Sequence, residues 1–160
     1  LKKNKKWNNK YYSIDHGTNS RLSEIQASIL NLKLKYVNSY IRKRRFIAQK
    51  YFKGLMESGI MLPIVNKKNF HVFHIFAVSH PKRELILKKL SLKKINLSIH
   101  YPYPIHIMKA YKNFTYNYSN RLIETEKKAK TTFSLPVYPG IKNYEIENII
   151  RNINKIVSKI

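Results

Sequence analysis

The stretch Ile99-His100-Tyr101-Pro102-Tyr103-Pro104-Ile105-His106 gathers two imidazoles and two phenols into eight residues. These are acid/base and hydrogen-bonding groups at a density that a plain connector does not need. Pro102 and Pro104 exclude a helix interior, since each lacks an N–H and fixes φ. Each also drives the residue before it into extended backbone. The polar groups are therefore displayed on a stiff, extended chain with little entropy left to lose. Taken alone, the stretch reads either as a binding strip or as a turn between strand and helix whose His and Tyr side chains cover the edge of a core.

The rest of the catalytic inventory is thin. A metal centre needs several converging His or carboxylate ligands, but the chain has only eight acids and no HExxH-type spacing. His71 and His74 fall on opposite faces of an expected strand, which separates them as ligands. A hydrolytic triad has a single Asp, Asp15, to draw on, with no nucleophile elbow near it. The four glycines are scattered, so no phosphate-cradling loop is present. A lysine nucleophile must be desolvated, and no lysine stands out by its context. On chemistry alone the chain carries half of a site.

The elements that must hold these groups follow from periodicity. Ser23, with Gln26 three residues on and Leu22 before it, forms a capping box and predicts a helix start. Ile25, Ile29, Leu32, Tyr36, Tyr40, Ile47, Tyr51 and Leu55 then keep helical spacing. Such a helix of roughly 34 residues would be about 50 Å long, bending near Ser39. That exceeds what a small core requires, so part of it is expected to lie against something else. Ile60-Met61-Leu62-Pro63 reads as a short strand, and His71 to Val78, rich in aromatic and β-branched residues, as a buried one. Lys82 to Lys94 reads as an amphipathic helix with a basic face, and Leu97-Ser98-Ile99 as a strand entering the double-proline stretch. Asn120 to Thr132 is a polar helix, and Ser134 to Gly140 a strand and turn. Tyr144 to Ile160 closes the chain with Ile146, Ile149, Ile150, Ile153 and Ile156 on one helical stripe. Strands separated by helices give an α/β (α+β) layer with helices on one face.

Composition bounds the rest. At 160 residues and 43% hydrophobic, the chain is about one domain with a real core. No apolar run reaches the roughly 18 residues of a membrane span. The first ten residues lack the apolar centre of a signal peptide. The absence of cysteine removes disulfides and thiolate metal sites and fits a reducing, cytoplasmic setting. The net charge of +24 would suit a polyanion. However, the lysines are spread along the whole chain, and Lys, Asn and Ile are over-used together, as in coding sequence rich in A and T. Compositional drift is the preferred reading, with a basic nucleic-acid-binding module as a rival favoured by charge alone.

Several blocks carry a resemblance. Gly17-x-Asn19-Ser20-Arg21-Leu22-x-Glu24-x-Gln26-Ala27 is followed by Arg44-Arg45-x-x-Ala48, Tyr51 and His74. Next come Ile99-His100-Tyr101-Pro102-x-Pro104-x-His106, Ala110-Tyr111, Glu126 and Ser134-Leu135-Pro136-x-Tyr138-Pro139. In order and spacing this set resembles the nucleotide-sugar aminotransferases of the DegT/StrS class, over nearly all of the chain. The resemblance implies a pyridoxal 5'-phosphate enzyme of the aspartate-aminotransferase-like fold (fold type I). Such an enzyme moves an amino group from glutamate to a nucleotide-linked keto-sugar, as a homodimer with composite active sites. It implies neither a metal, nor a membrane, nor specific nucleic acid. The Schiff-base lysine, the ring-stacking aromatic and the pyridinium-binding Asp of that family lie upstream of the position matching Leu1. No catalytic residue is therefore expected in this chain, which by itself would be inactive.

By the same resemblance, residues 1–22 are a remnant of the large cofactor-binding domain, 23–58 the long connecting helix, and 59–160 the C-terminal small α/β domain. Asn19 corresponds to a residue that binds the cofactor phosphate of the neighbouring subunit. An amide beside a helix start is a natural anion site, although such an Asn also serves simply to begin a helix. His100, Tyr101 and His106 correspond to residues lining the sugar-nucleotide side of the pocket. The pattern is most similar to enzymes aminating 3-keto-6-deoxyhexoses. Two departures stand out. Met108 occupies a position where the family often has Gln. Lys93-Lys94-Ile95 replaces a segment that often carries Gly, which suggests a relaxed turn. A non-catalytic truncated remnant, or a partner subunit of such an enzyme, is the alternative.

Overall fold

The computed structural model describes residues 12–15, 17, 20–114 and 122–160. The lysine-rich lead-in over 2–10, Asn19, and the first two residues of the helix expected from Asn120 lie outside them. The chain divides into two compact units, one of residues 1–21 and 100–130, the other of residues 22–99 and 131–160. This partition follows packing, whereas the boundaries expected at 22 and 58 follow the order of elements.

In the larger unit the capping box forms as the sequence requires. Ser23 Oγ accepts the Gln26 N–H at 3.3 Å and Gln26 Oε1 accepts the Ser23 N–H at 3.2 Å. The expected single helix is two: α1 (Glu24–Leu34) and α2 (Val37–Leu55). The break lies at Lys35–Tyr36, where the Tyr36 N–H reaches back only three residues, to Lys33 O at 3.0 Å. Helix α1 contributes no buried residue. Ile25, Ile29 and Leu32 run along one side and Leu30 and Leu34 along the other, all exposed.

The core lies further on. Ile47, Ala48, Tyr51 and Leu55 of α2 pack with Phe76 and Val78 of β1 (Phe76–Ser79) and with Ile86 and Leu90 of α3 (Arg83–Ser91). Phe133 and Leu135 of β2 (Thr132–Leu135) and the stripe Ile146, Ile149, Ile153, Ile156 of α5 (Asn143–Val157) complete it. β1 and β2 are antiparallel, Phe76 opposite Leu135 and Val78 opposite Phe133, so the large side chains meet on the core face. The strands expected around Met61 and Ser98 shrink to single antiparallel bridges, Met61 to Ser79 and Ser98 to Ser134. Pro63 and Pro102 follow closely, and neither can donate to a ladder.

The strand expected over His71–Val78 is also shorter, because its first half is engaged elsewhere. Arg45 Nη1 donates to His71 O at 2.8 Å, and Arg44 Nη1 donates to Phe73 O at 3.4 Å and His74 O at 3.1 Å. Phe73 takes φ +49 and its N–H donates to His71 Nδ1 at 3.0 Å. His71 and His74 therefore precede the strand rather than alternating across it.

The turn after α3 is not relaxed. Lys94 has φ +59, with its N–H on Ser91 O at 2.9 Å and the Ile95 N–H on Leu90 O at 3.0 Å. This is a Schellman ending, a geometry that favours glycine at the left-handed position. Buried Ile95 and Leu90 lie at its two ends, which is the apolar contact that accompanies the motif. At the crossing of α2 and α5, Gly54 lets the helices approach closely: a Cβ there would stand 2.7 Å from Ile150 Cγ2. Asn154 Nδ2 donates to Gly54 O across the same crossing at 3.0 Å.

The smaller unit is built on the double-proline stretch. After Pro104 the chain turns through short 3-10 segments at Ile105–Ile107 and Lys109–Phe114. The Ala110 N–H donates to Ser13 O at 3.2 Å, and the Tyr12 and Tyr103 rings meet edge to face at 5.3 Å. Helix α4 (Ile123–Thr131) runs on into β2. Among the described residues no helix is long and apolar enough to cross a membrane.

Candidate functional site

The double-proline stretch holds its polar groups by backbone geometry first. Pro104 is buried and extended, at φ −60 and ψ 141, and its carbonyl accepts the Ile107 N–H at 3.2 Å. This aligns the turn that carries His106. Tyr101 sits at φ +55 and is exposed, while His100 is half-buried with its ring centroid 6.4 Å from that of Tyr101. The extended backbone expected before Pro102 is therefore not adopted at Tyr101: a bulky residue in the left-handed region is unusual and costs about 1–2 kcal/mol. The structure thus brings the His100 and Tyr101 rings together at the entry of the stretch.

His106, at its far end, is fixed differently. Its Nε2 lies 3.2 Å from Glu126 Oε1 on α4, with the two side chains 17% and 33% exposed. Glu126 is part of the family-like pattern, but sequence alone assigns it no role. The available signal was scarcity, since a chain with eight acids and 32 bases places few carboxylates near a histidine by chance. Asn19, expected beside the helix start, lies outside the described residues.

A concavity of about 570 Å³ lies in the larger unit along the first half of α2, with Tyr40, Arg44, Val72, His74 and Pro139 among its walls. The Arg44 guanidinium is tied to the backbone carbonyls named above, so it shapes the wall. Two other polar groups of the larger unit are structural. Tyr51 is buried and its hydroxyl donates to Pro136 O at 2.9 Å. Burial first, and then the charges of Tyr138 and Glu145, push this phenol well above its usual range. His80 precedes α3 and its Nδ1 accepts the Lys82 N–H at 3.0 Å. Burial, then the Lys82 charge, lowers its pKa below the ordinary 6.5. Among the described residues no three His, Asp or Glu side chains gather as a metal would require, and no lysine is buried.

Known proteins resemble the chain over most of its length. The model of the DegT/DnrJ/EryC1/StrS aminotransferase family matches residues 2–154. The chain is 37% identical over 153 residues to the dTDP-3-amino-3,4,6-trideoxy-alpha-D-glucose transaminase of Micromonospora megalomicea subsp. nigra, covering 92% of this chain and 41% of that protein. Among solved structures it superposes on S. venezuelae DesV in complex with a ketimine intermediate, with a TM-score of 0.82 and 29% identity. That match covers 96% of this chain and 41% of the other. The Bacillus subtilis NtdA structure with bound cofactor PMP gives a TM-score of 0.74 at 26% identity, over 91% of this chain and 35% of that one. The chain therefore spans about two fifths of the length of the relatives it matches.

Proposed function

The chain belongs to the DegT/DnrJ/EryC1/StrS aminotransferase family, and from that membership we propose that it is the C-terminal part of a pyridoxal-phosphate-dependent aminotransferase. The complete protein would move an amino group from glutamate to a nucleotide-linked keto-sugar, a 3-keto-6-deoxyhexose, in the cytoplasm and as a homodimer. The observation that carries this reading is the breadth of the match. It runs through residues 2–154, and the fold agrees over 96% of the chain.

The cofactor supplies an electrophilic carbon that holds the amino group between donor and acceptor. The described residues do not fit its covalent attachment. That needs a desolvated lysine, and every described lysine is at least partly exposed. What these residues do fit is the binding of a polar, hydroxyl-rich partner. His100, Tyr101 and His106 flank Pro102 and Pro104, whose own φ angles are fixed, so the segment that joins them has little freedom to lose when a ligand is held. Orientation of that kind supplies much of the rate in group transfer. In this reading Asn19 holds the cofactor phosphate of the neighbouring subunit. Asn19→Ala would weaken cofactor retention by about 1–3 kcal/mol, the worth of a hydrogen bond to a charged group.

A second reading is a non-catalytic remnant or partner subunit, favoured by Met108 at a position where the family often has Gln. One experiment separates the two. The product of the complete reading frame containing Leu1 is purified, its pyridoxal phosphate content measured, and glutamate supplied with a dTDP-3-keto-6-deoxyhexose. Stoichiometric cofactor, 2-oxoglutarate and an amino-sugar are expected. A product without cofactor or turnover leaves the remnant reading in its place.

A further inference from the structure

The pairing of His106 with Glu126 has a consequence for what the imidazole offers a ligand. An ionised carboxylate only accepts hydrogen bonds. With Glu126 ionised, the hydrogen shared across the 3.2 Å to Glu126 Oε1 belongs to Nε2. In a neutral imidazole one ring nitrogen donates and the other accepts, so the partner of one nitrogen decides the chemistry of the other. Among the described residues no polar group pairs with Nδ1, and the His106 side chain keeps 17% of its surface exposed.

We propose that Glu126 is a positioning residue: it holds His106 as the Nε2–H tautomer, so that Nδ1 stands as a hydrogen-bond acceptor toward a hydroxyl of the sugar-nucleotide substrate. The proposal rests on the reading of the stretch as the sugar side of an aminotransferase site. It adds the direction of the hydrogen bond and the residue that sets it. An acceptor at this point favours a donor, such as a ring hydroxyl, over a carbonyl or a phosphate oxygen. Turned or doubly protonated, the same imidazole would favour the opposite. The two partners come from elements twenty residues apart in sequence, so α4 controls the polarity of a group it does not carry.

The test begins with the product of the complete reading frame, 15N-labelled in its imidazoles and held at about pH 8, above the ordinary histidine range. Long-range nitrogen–proton correlation should show His106 Nε2 protonated and Nδ1 bare, with a slowly exchanging Nε2 proton. Glu126→Gln, which keeps an acceptor oxygen, should preserve this signature. Glu126→Ala should erase the Nε2 proton signal and draw the two nitrogens toward their exchange average. A protonated Nδ1, or a pattern identical in the Ala variant, would overturn the proposal. In the second arm dTDP-glucose is titrated in. The Nδ1 resonance should move in the wild-type and Gln chains and move less in the Ala chain. Shifts elsewhere in the smaller unit with Nδ1 unmoved would refute the substrate-facing half of the proposal. A chain that shows no shift at any residue would instead count against the sugar-nucleotide reading, and the proposal falls with it.

Discussion

Replacing Lys94 by glycine should make the protein more stable, although glycine usually weakens a chain. Lys94 holds φ +59 at the end of α3, where two backbone hydrogen bonds of 2.9 and 3.0 Å lock the turn. Its side chain is exposed and leaves no core contact to lose. An L-residue in the left-handed region costs about 1–2 kcal/mol. Glycine relieves that cost but adds freedom to the unfolded chain, which takes back about 0.4–1 kcal/mol. The net expectation is a gain of about 0–1.6 kcal/mol, centred on about 0.8 kcal/mol, which is about 2–3 °C in Tm for a chain of this size. Lys94→Ala is the control, since it removes the charge and the side chain but keeps the strain. Urea unfolding of all three proteins, followed by circular dichroism, measures the difference. The midpoint should rise for Gly alone, with an unchanged slope. A Gly variant no more stable than the Ala variant would refute the reasoning and mean that the turn carries no strain.

Other perturbations test the packing and the charges. Tyr51→Phe leaves Pro136 O without its 2.9 Å donor and should lower stability by about 1–3 kcal/mol, read from the same unfolding curves. Gly54→Ala places a Cβ 2.7 Å from Ile150 Cγ2 and should cost about 1–3 kcal/mol, less the propensity gained. Combined with Ile150→Ala, its loss should be less than additive, because one contact underlies both. His80 has a folded pKa below 6.5, so the unfolded chain binds the extra proton between the two values. Its contribution to stability is thus present above pH 6.5 and is lost as the pH falls below it. His80→Asn keeps an acceptor for the Lys82 N–H and should flatten that part of the pH–stability curve. In the complete reading-frame product, His100→Ala should leave cofactor content unchanged and slow turnover of the keto-sugar.

Local rules carried far in some elements and failed in others for identifiable reasons. The stripe of α5 and the Ser23–Gln26 box depend on residues three and four apart, and both form as their spacing requires. The segment 71–75 has strand-like composition, but Arg44 and Arg45, 26 to 30 residues earlier, take its carbonyls. That long-range competition leaves no mark in a local window. The break at Lys35–Tyr36 has no proline or glycine to announce it. At the candidate site, His100, Tyr101 and His106 were legible from residue type and proline spacing. Glu126 became meaningful only when α4 was seen beside the 3-10 turn.

Helix α1 has one more consequence, for how the chain behaves as a colloid. Its eleven residues hold one acid in the first turn and one base in the last, a neutral and apolar island on a polypeptide of charge +24. At low ionic strength the like charges keep neighbouring molecules beyond the reach of that island. The repulsion extends about 10 Å at 0.1 M salt and about 3 Å at 1 M, whereas apolar attraction is strengthened by salts such as sulfate. Added salt therefore weakens adhesion to polyanions and promotes adhesion of the chain to itself, and a buffer chosen to suppress the first invites the second.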